Sequence, residues 1–228
     1  MPVYELDPYH MAFPPAQKAS RDGLLAVGGQ LREDWLILAY RSGIFPWFND
    51  GDPVLWWSPD PRFVLPIENL KVPRSLKPFL KRPEYEFRLD TVFDEVIDAC
   101  AAIPRHGQNG TWITTHMSAA YKNLHKMGLA HSAEIWLEGR LIAGLYGVSM
   151  GSAFFGESMF TIEPNASKIA FVKLCHWLRD KDFQWIDCQV YTQHLERFGA
   201  EFVPRKSFLS MLEWALQTPN KTGKWRVE

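Results

Sequence analysis

Asp187 and Gln189 stand on alternate positions at the end of a short apolar run, Phe183-Gln184-Trp185-Ile186. The run reads as a buried strand, and the alternation then places both polar side chains on one face. Polar groups emerging from the end of a buried strand are where α/β-type domains collect their chemistry. A strand that has simply reached solvent is the plainer reading of any single such pair. Glu157 is a third candidate, a carboxylate within Phe155-Gly156-Glu157-Ser158-Met159-Phe160. A carboxylate among apolar neighbours is costly unless it is paired. Glu157 therefore reads either as a group that binds an ammonium ion or as half of a core ion pair. Cys188, between Asp187 and Gln189, projects to the opposite face and into packing, which disfavours a nucleophilic pair with His194. The seven histidines show no metal-ligand spacing.

Two further stretches carry types suited to binding. From Gly43 to Arg62 five aromatics (Phe45, Trp47, Phe48, Trp56, Trp57) interleave with four prolines and an Asn-Asp-Gly-Asp turn. Neither helical nor strand periodicity fits, so the stretch reads as a rigid loop presenting aromatic faces. Such faces stack nucleobases, at about 1–3 kcal/mol per base, or plug the space between two domains; both readings stand. Between Lys71 and Arg88 six basic residues face two acids. A short helix capped by Ser75 puts Arg74, Lys77 and Lys81 on one side, with Arg82 beside them. That is a phosphate-backbone patch or a solvated face.

The whole chain sets the limits. It has 228 residues, a net charge of -1, 46% hydrophobic and 22% charged residues. These values describe an ordinary globular chain with no global signature of nucleic-acid or membrane binding. Three cysteines, Cys100, Cys175 and Cys188, form no CxxC and argue against a disulfide framework. No signal segment and no apolar run near the ~18 residues of a membrane span is apparent. A cytoplasmic location is expected.

The elements that must position these groups follow from periodicity. Residues 1–30 read as Pro- and Gly-punctuated loops, followed by a helix over 33–41 with Trp35, Leu38 and Ala39 on one face. A strand over 85–90 precedes a helix started by Thr91 and Asp94, with Val92, Val96, Ile97 and Cys100 as its buried stripe. A helix over 115–127 is closed by Gly128. A β-meander (131–137, 141–150, 153–161) leads to a helix capped by Asn165, then the strand 183–190. A short helix ending at Gly199, a strand over 201–203 and a helix over 207–217 complete the chain. The order β-β-β-α-β-α-β predicts an α+β fold: a small N-terminal domain (1–62), then a GNAT-like acyltransferase domain (63–228) with a mixed, mostly antiparallel sheet. GNAT acetyltransferases hold the acetyl-CoA pyrophosphate on a Gly-rich turn before the helix that follows the meander. Here that place reads Ile162-Glu163-Pro164-Asn165-Ala166-Ser167-Lys168, without glycine. A helix N-terminus with Ser167 and Lys168 still suits one phosphate. A different, phosphate-bearing acyl donor is expected.

A set of motifs in order, GIFPWF (43–48), WWSPDPR (56–62), GTWIT (110–114), HS-x-E-x-W (131–136), GES-x-F (156–160), NASK (165–168), IDCQ (186–189) and LERFGA…PR…F (195–208), resembles the leucyl/phenylalanyl-tRNA–protein transferases over nearly the whole chain. The resemblance implies transfer of Leu, also Phe and weakly Met, from aminoacyl-tRNA to the N-terminal Arg or Lys of a protein. That step marks the acceptor for degradation by the bacterial N-end rule. It implies a monomer, with no cofactor, metal or membrane. It assigns Asp187, Gln189 and Glu157 to the reacting ester and the incoming amine, and Trp47 and Trp112 to the pocket of the terminal adenosine. Leu145, Phe154, Leu174 and Ile186 would line the amino-acid side-chain pocket. Arg74, Lys77, Lys81 and Arg82 would track the tRNA acceptor stem. Leu174 stands where the family often has Phe, which leaves the ranking of Leu, Phe and Met open. A non-catalytic binder of tRNA or protein N-termini on the same fold is the alternative.

Overall fold

Strands β1 (Tyr4–Leu6) and β2 (Leu24–Gly28), helix α1 (Glu33–Arg41), and strands β3 (Phe45–Pro46) and β4 (Leu55–Trp57) open the chain. They are seen in a computed structural model that describes residues 3–103 and 113–227. The four strands form one sheet, β1-β2-β4-β3. Residues 1–30 and 43–62 thus hold paired strands where loops are expected. Strands of two to five residues are too short to display a period of two, and prolines interrupt them. Aromatic packing holds this sheet: Phe13, Trp35 and Trp56 are in mutual ring contact, and Trp56 Nε1 donates to the Gly28 carbonyl at 2.9 Å.

The remaining elements are β5 (Arg62–Pro66), α2 (Lys77–Leu80), β6 (Glu86–Leu89), α3 (Phe93–Ala102), α4 (Thr115–Lys126), β7 (Ala130–Leu137), β8 (Arg140–Met150), β9 (Ala153–Thr161), α5 (Ala166–Asp180), β10 (Trp185–Gln189), α6 (Gln193–Arg197), β11 (Glu201–Val203) and α7 (Arg205–Ala215). Seven strands form a second sheet, β11-β5-β10-β9-β8-β7-β6. Strands β9 and β10 pair in parallel, and the other neighbours are antiparallel. The architecture is mixed α/β. Strand β5, which no periodicity announces, inserts between β10 and β11. Helix α5 buries Ile169, Val172, Leu174 and Cys175 on one side of the sheet, while Val96, Ile97, Cys100, Met117 and Phe208 belong to the core on the other.

One irregularity positions the site. Strand β10 pairs with β9 only as far as Asp187 opposite Phe155, whereas β9 continues beside β8 to Thr161. Past that point the two parallel neighbours part and leave an opening in the sheet.

Several motif residues fasten elements together. Buried Glu134 accepts from the backbone N–H groups of Thr91 (2.9 Å) and Val92 (3.1 Å) and from Trp136 Nε1 (3.1 Å). It caps α3 from the neighbouring strand, so the helix begins at Phe93 and Val92 becomes its N-cap. Arg205, at the start of α7, donates through Nη1 to the Ser58 carbonyl (2.6 Å) and through its backbone to Asp60 (2.9 Å), tying the last helix to the turn before β5. Ser75 lies within a 3-10 turn that begins after Pro73, so it is not the cap expected for the basic segment. Arg74, Lys77, Lys81 and Arg82 are all exposed.

Candidate active site

Asp187 and Gln189 do not simply share a face. The register of β10 against β5 shifts between them, and Gln189 has a φ of 62°, a left-handed conformation that is unfavourable for a non-glycine residue. Asp187 turns to Arg62, which donates through Nε (2.9 Å) and Nη2 (2.6 Å) to the two carboxylate oxygens. Both residues are fully buried. The guanidinium also lies between the rings of Phe45 and Phe208, 4.6 and 4.5 Å from their centroids. The charge of Asp187 is therefore met within the chain. Oδ1 also accepts the backbone N–H of Gln189 at 2.9 Å and fixes the turn.

The Gln189 side chain goes across the opening to β9. Its Nε2 donates to Glu157 Oε1 at 2.8 Å. The same oxygen accepts from Tyr40 Oη at 2.7 Å, and Oε2 accepts from Tyr121 Oη at 3.0 Å. The two tyrosine hydroxyls also lie within hydrogen-bonding contact of each other and, with one proton apiece, share two protons among these three contacts. What surface Glu157 retains faces the cavity described next. Burial pushes its carboxyl up to about 7, against the pull of the three donors, and the nearby charge of Asp187 adds to the rise. Burial and the Glu157 charge hold both tyrosines well above the ordinary phenol range, so they stay protonated as donors.

Glu157 and Gln189 stand in the wall of a cavity of about 370 Å³ set in the opening of the sheet. Leu145, Phe154, Leu174 and Ile186 all line it and are nearly fully buried, giving one apolar end. Phe45, Pro46 and Trp47 also line it, and Trp47 is 38% exposed. Cys188 also lines the cavity, but burial raises its thiol well above the ordinary range, which keeps it out of nucleophilic chemistry. Trp112 lies outside the described residues. Arg74, Lys77, Lys81 and Arg82 do not touch this cavity; they lie on the neighbouring α2 segment.

Comparison with known proteins decides what kind of chain this is. The leucyl/phenylalanyl-tRNA protein transferase family profile matches residues 64–213, and the profile of that family's N-terminal domain matches residues 29–60. Proteins named leucyl/phenylalanyl-tRNA–protein transferase share 54% identity over 99% of this chain (97% of the relative) in Myxococcus xanthus, and 53% over 100% (97% of the relative) in Anaeromyxobacter dehalogenans strain 2CP-C. The chain belongs to the leucyl/phenylalanyl-tRNA–protein transferase family. It is an aminoacyltransferase. Among solved structures, a GCN5-related N-acetyltransferase-like protein from Streptococcus suis aligns over 78% of this chain and 67% of that one. Its TM-score of 0.35 and 13% identity are too low to carry an argument.

Three groups that hold the polar side chains of this transferase's cavity from behind escape sequence reasoning: Arg62, Tyr40 and Tyr121. Arg62 had a signal, because an Asp inside a buried strand demands a cation, and Arg62 directly precedes the apolar run Phe63-Val64-Leu65. Tyr40 and Tyr121 had none. They come from α1 and α4, and only the tertiary fold brings their hydroxyls to one carboxylate.

Proposed function

We propose that the protein transfers Leu, and also Phe and weakly Met, from aminoacyl-tRNA to the N-terminal Arg or Lys of acceptor proteins, marking them for N-end rule degradation. The observation that carries this reading is the meeting of an apolar cavity with the Glu157–Gln189 pair at one wall. The aminoacyl side chain occupies the end formed by Leu145, Phe154, Leu174 and Ile186, and the terminal adenosine stacks on exposed Trp47. Its ester then faces the polar wall. Arg74, Lys77, Lys81 and Arg82 follow the acceptor stem outside.

Aminolysis needs a neutral α-amine held against the ester carbonyl. The amine nitrogen bonds to the carbonyl carbon, the bond from that carbon to the ribose oxygen breaks, and one proton passes from nitrogen to that oxygen. An N-terminal amine with a pKa near 8 is already partly neutral. Holding the two reactants together supplies as much as about 7–11 kcal/mol of the barrier reduction. A neutral amide is too weak a base to accept the proton. Gln189 instead orients: with Nε2 on Glu157, its carbonyl oxygen is the acceptor for an incoming N–H. Glu157, with its carboxyl near 7, is suited to take the amine proton and return it to the ribose oxygen, directly or through water. Its negative charge also attracts the cationic acceptor terminus, a task that Asp187 cannot perform while paired with Arg62.

The same reading takes the chain as two domains, 1–62 and 63–228, a division supported by the gap between the two family matches. It takes the second as GNAT-like, supported by the parting of β9 and β10. The enzyme works as a cytoplasmic monomer without cofactor or metal. Among the described residues no helix is long and apolar enough to cross a membrane. The test uses radiolabelled Leu-tRNA with two peptides, one beginning with Arg and one with Ala. Label on the Arg peptide alone is expected; label on neither overturns the transferase reading, and label on both overturns the acceptor specificity.

A further inference from the structure

A second cavity, of about 220 Å³, adjoins the first, and His194 lines both. Around it stand Ser75, Asn165, Lys168, His194 and Arg197, with Pro73, Leu76, Phe79 and Phe198 as its apolar floor. Three of these side chains are basic and none is a carboxylate. Lys168 Nζ is held by the neutral Asn165 Oδ1 at 2.9 Å, so its local partner does not cancel its charge. Glu196, the acid next to Arg197, is engaged elsewhere, accepting from Tyr191 Oη at 2.9 Å. His194 Nε2 is buried and has no hydrogen-bond partner. Lys168 and Arg197 both lie close enough to hold the His194 ring below its ordinary range, after the larger effect of burial. Exposed Arg74 and Lys77 flank the turn that carries Ser75 and Leu76, so positive charge continues from this cavity outward.

We infer that this second cavity binds a phosphodiester group, the one on the 5′ side of the donor's terminal adenosine. The inference rests on the donor reading given above. A nucleoside seated in the first cavity with its 5′ side towards His194 places that side one imidazole ring from two cations in the second. The phosphate would thus link the aminoacyl pocket to the outer basic patch by an unbroken positive path. Ser167, paired with Lys168 in the sequence-based expectation of a phosphate site, is buried outside this cavity; the second cation is Arg197, from α6. Phosphate oxygens favour charge-assisted hydrogen bonds from Lys and Arg, and His194 Nε2 is placed to add one when it carries a proton.

The test measures calorimetric binding of two non-hydrolysable compounds to the full chain: 3′-amide-linked leucyl-adenosine and its 5′-monophosphate. For the unmodified protein the phosphate is expected to tighten binding about tenfold. Lys168→Gln and Arg197→Gln should each shrink that ratio, and the double variant should bring it to about one. Because the readout is a ratio within one preparation, partial misfolding lowers both affinities and leaves it unchanged. If the nucleoside binds and the phosphate adds nothing, the inference fails while the donor reading survives. A ratio that persists in the double variant also overturns it. So does a ratio near one in every protein with weakened binding of full-length Leu-tRNA in the variants, which would place both cations on the stem. If neither compound binds, the donor reading fails and takes the inference with it.

Discussion

Replacing Glu157 with Gln separates its charge from its place in the structure. The amide keeps a size and shape that can still meet Tyr40, Tyr121 and Gln189, but it can no longer accept a proton. General-base help is worth about 10²–10⁴ in rate. The lower end applies, because an acceptor amine of pKa about 8 is already about one-tenth neutral at pH 7. Single-turnover transfer from Leu-tRNA at saturating peptide should fall about 100-fold. The wild-type rate should rise with pH through an inflection near 7, where Glu157 loses its proton, and again near 8 with the acceptor amine. The variant should keep only the second inflection. Stability supplies an independent readout. The folded-state value of about 7 lies above the ordinary 4.5, so protonation favours folding, and stability falls as pH rises from 4.5 through 7. With about 1.4 kcal/mol per tenfold change in proton affinity, and some relief from cavity water, the loss is about 2–3 kcal/mol. Denaturant titrations at pH 5 and pH 8.5 should show that loss in the wild type and not in Glu157→Gln. A variant that keeps the wild-type rate and the inflection near 7 would refute the role given to this carboxylate.

Four other variants, one of them double, probe the neighbouring parts. Trp47→Ala should raise the KM for aminoacyl-tRNA by about tenfold with a smaller change in kcat, since one stacked base is worth about 1–3 kcal/mol; steady-state kinetics with varied donor check this. Asp187→Asn leaves Arg62 buried without its counter-charge, which costs about 3–5 kcal/mol; thermal denaturation should show a Tm lowered by about 10 °C. Pairing Asp187→Leu with Arg62→Met should recover much of that stability but not the transfer activity. Leu174→Phe narrows the apolar end of the cavity, so the ratio of Phe to Leu transfer in a mixed-donor assay should fall several-fold, as expected for about 1–3 kcal/mol of steric discrimination.

Legibility in the sequence followed the length of the periodic signal. The meander and α5 appear within a residue or so of where their patterning puts them, because strands of eight to eleven residues and a fifteen-residue helix repeat often enough to be recognised. The four-stranded sheet was not legible. Its pairings join Tyr4 to Ala26 and Phe45 to Trp57 through strands too short to carry a pattern. At the site, patterning singled out the three polar groups and the family resemblance the four apolar residues that line the cavity, but neither gave their partnerships. Alternation put Asp187 and Gln189 together, whereas a bulge sends one to Arg62 and the other to Glu157. The tyrosines that hold Glu157 come from helices whose sequences read only as amphipathic.

The most direct measurement of the central claim is a crystal structure of the protein with 3′-amide-linked leucyl-adenosine bound. The leucyl side chain is expected among Leu145, Phe154, Leu174 and Ile186, the adenine against Trp47, and the carbonyl facing Gln189 and Glu157. A leucyl group seated elsewhere, or a carbonyl turned away from that pair, would contradict it.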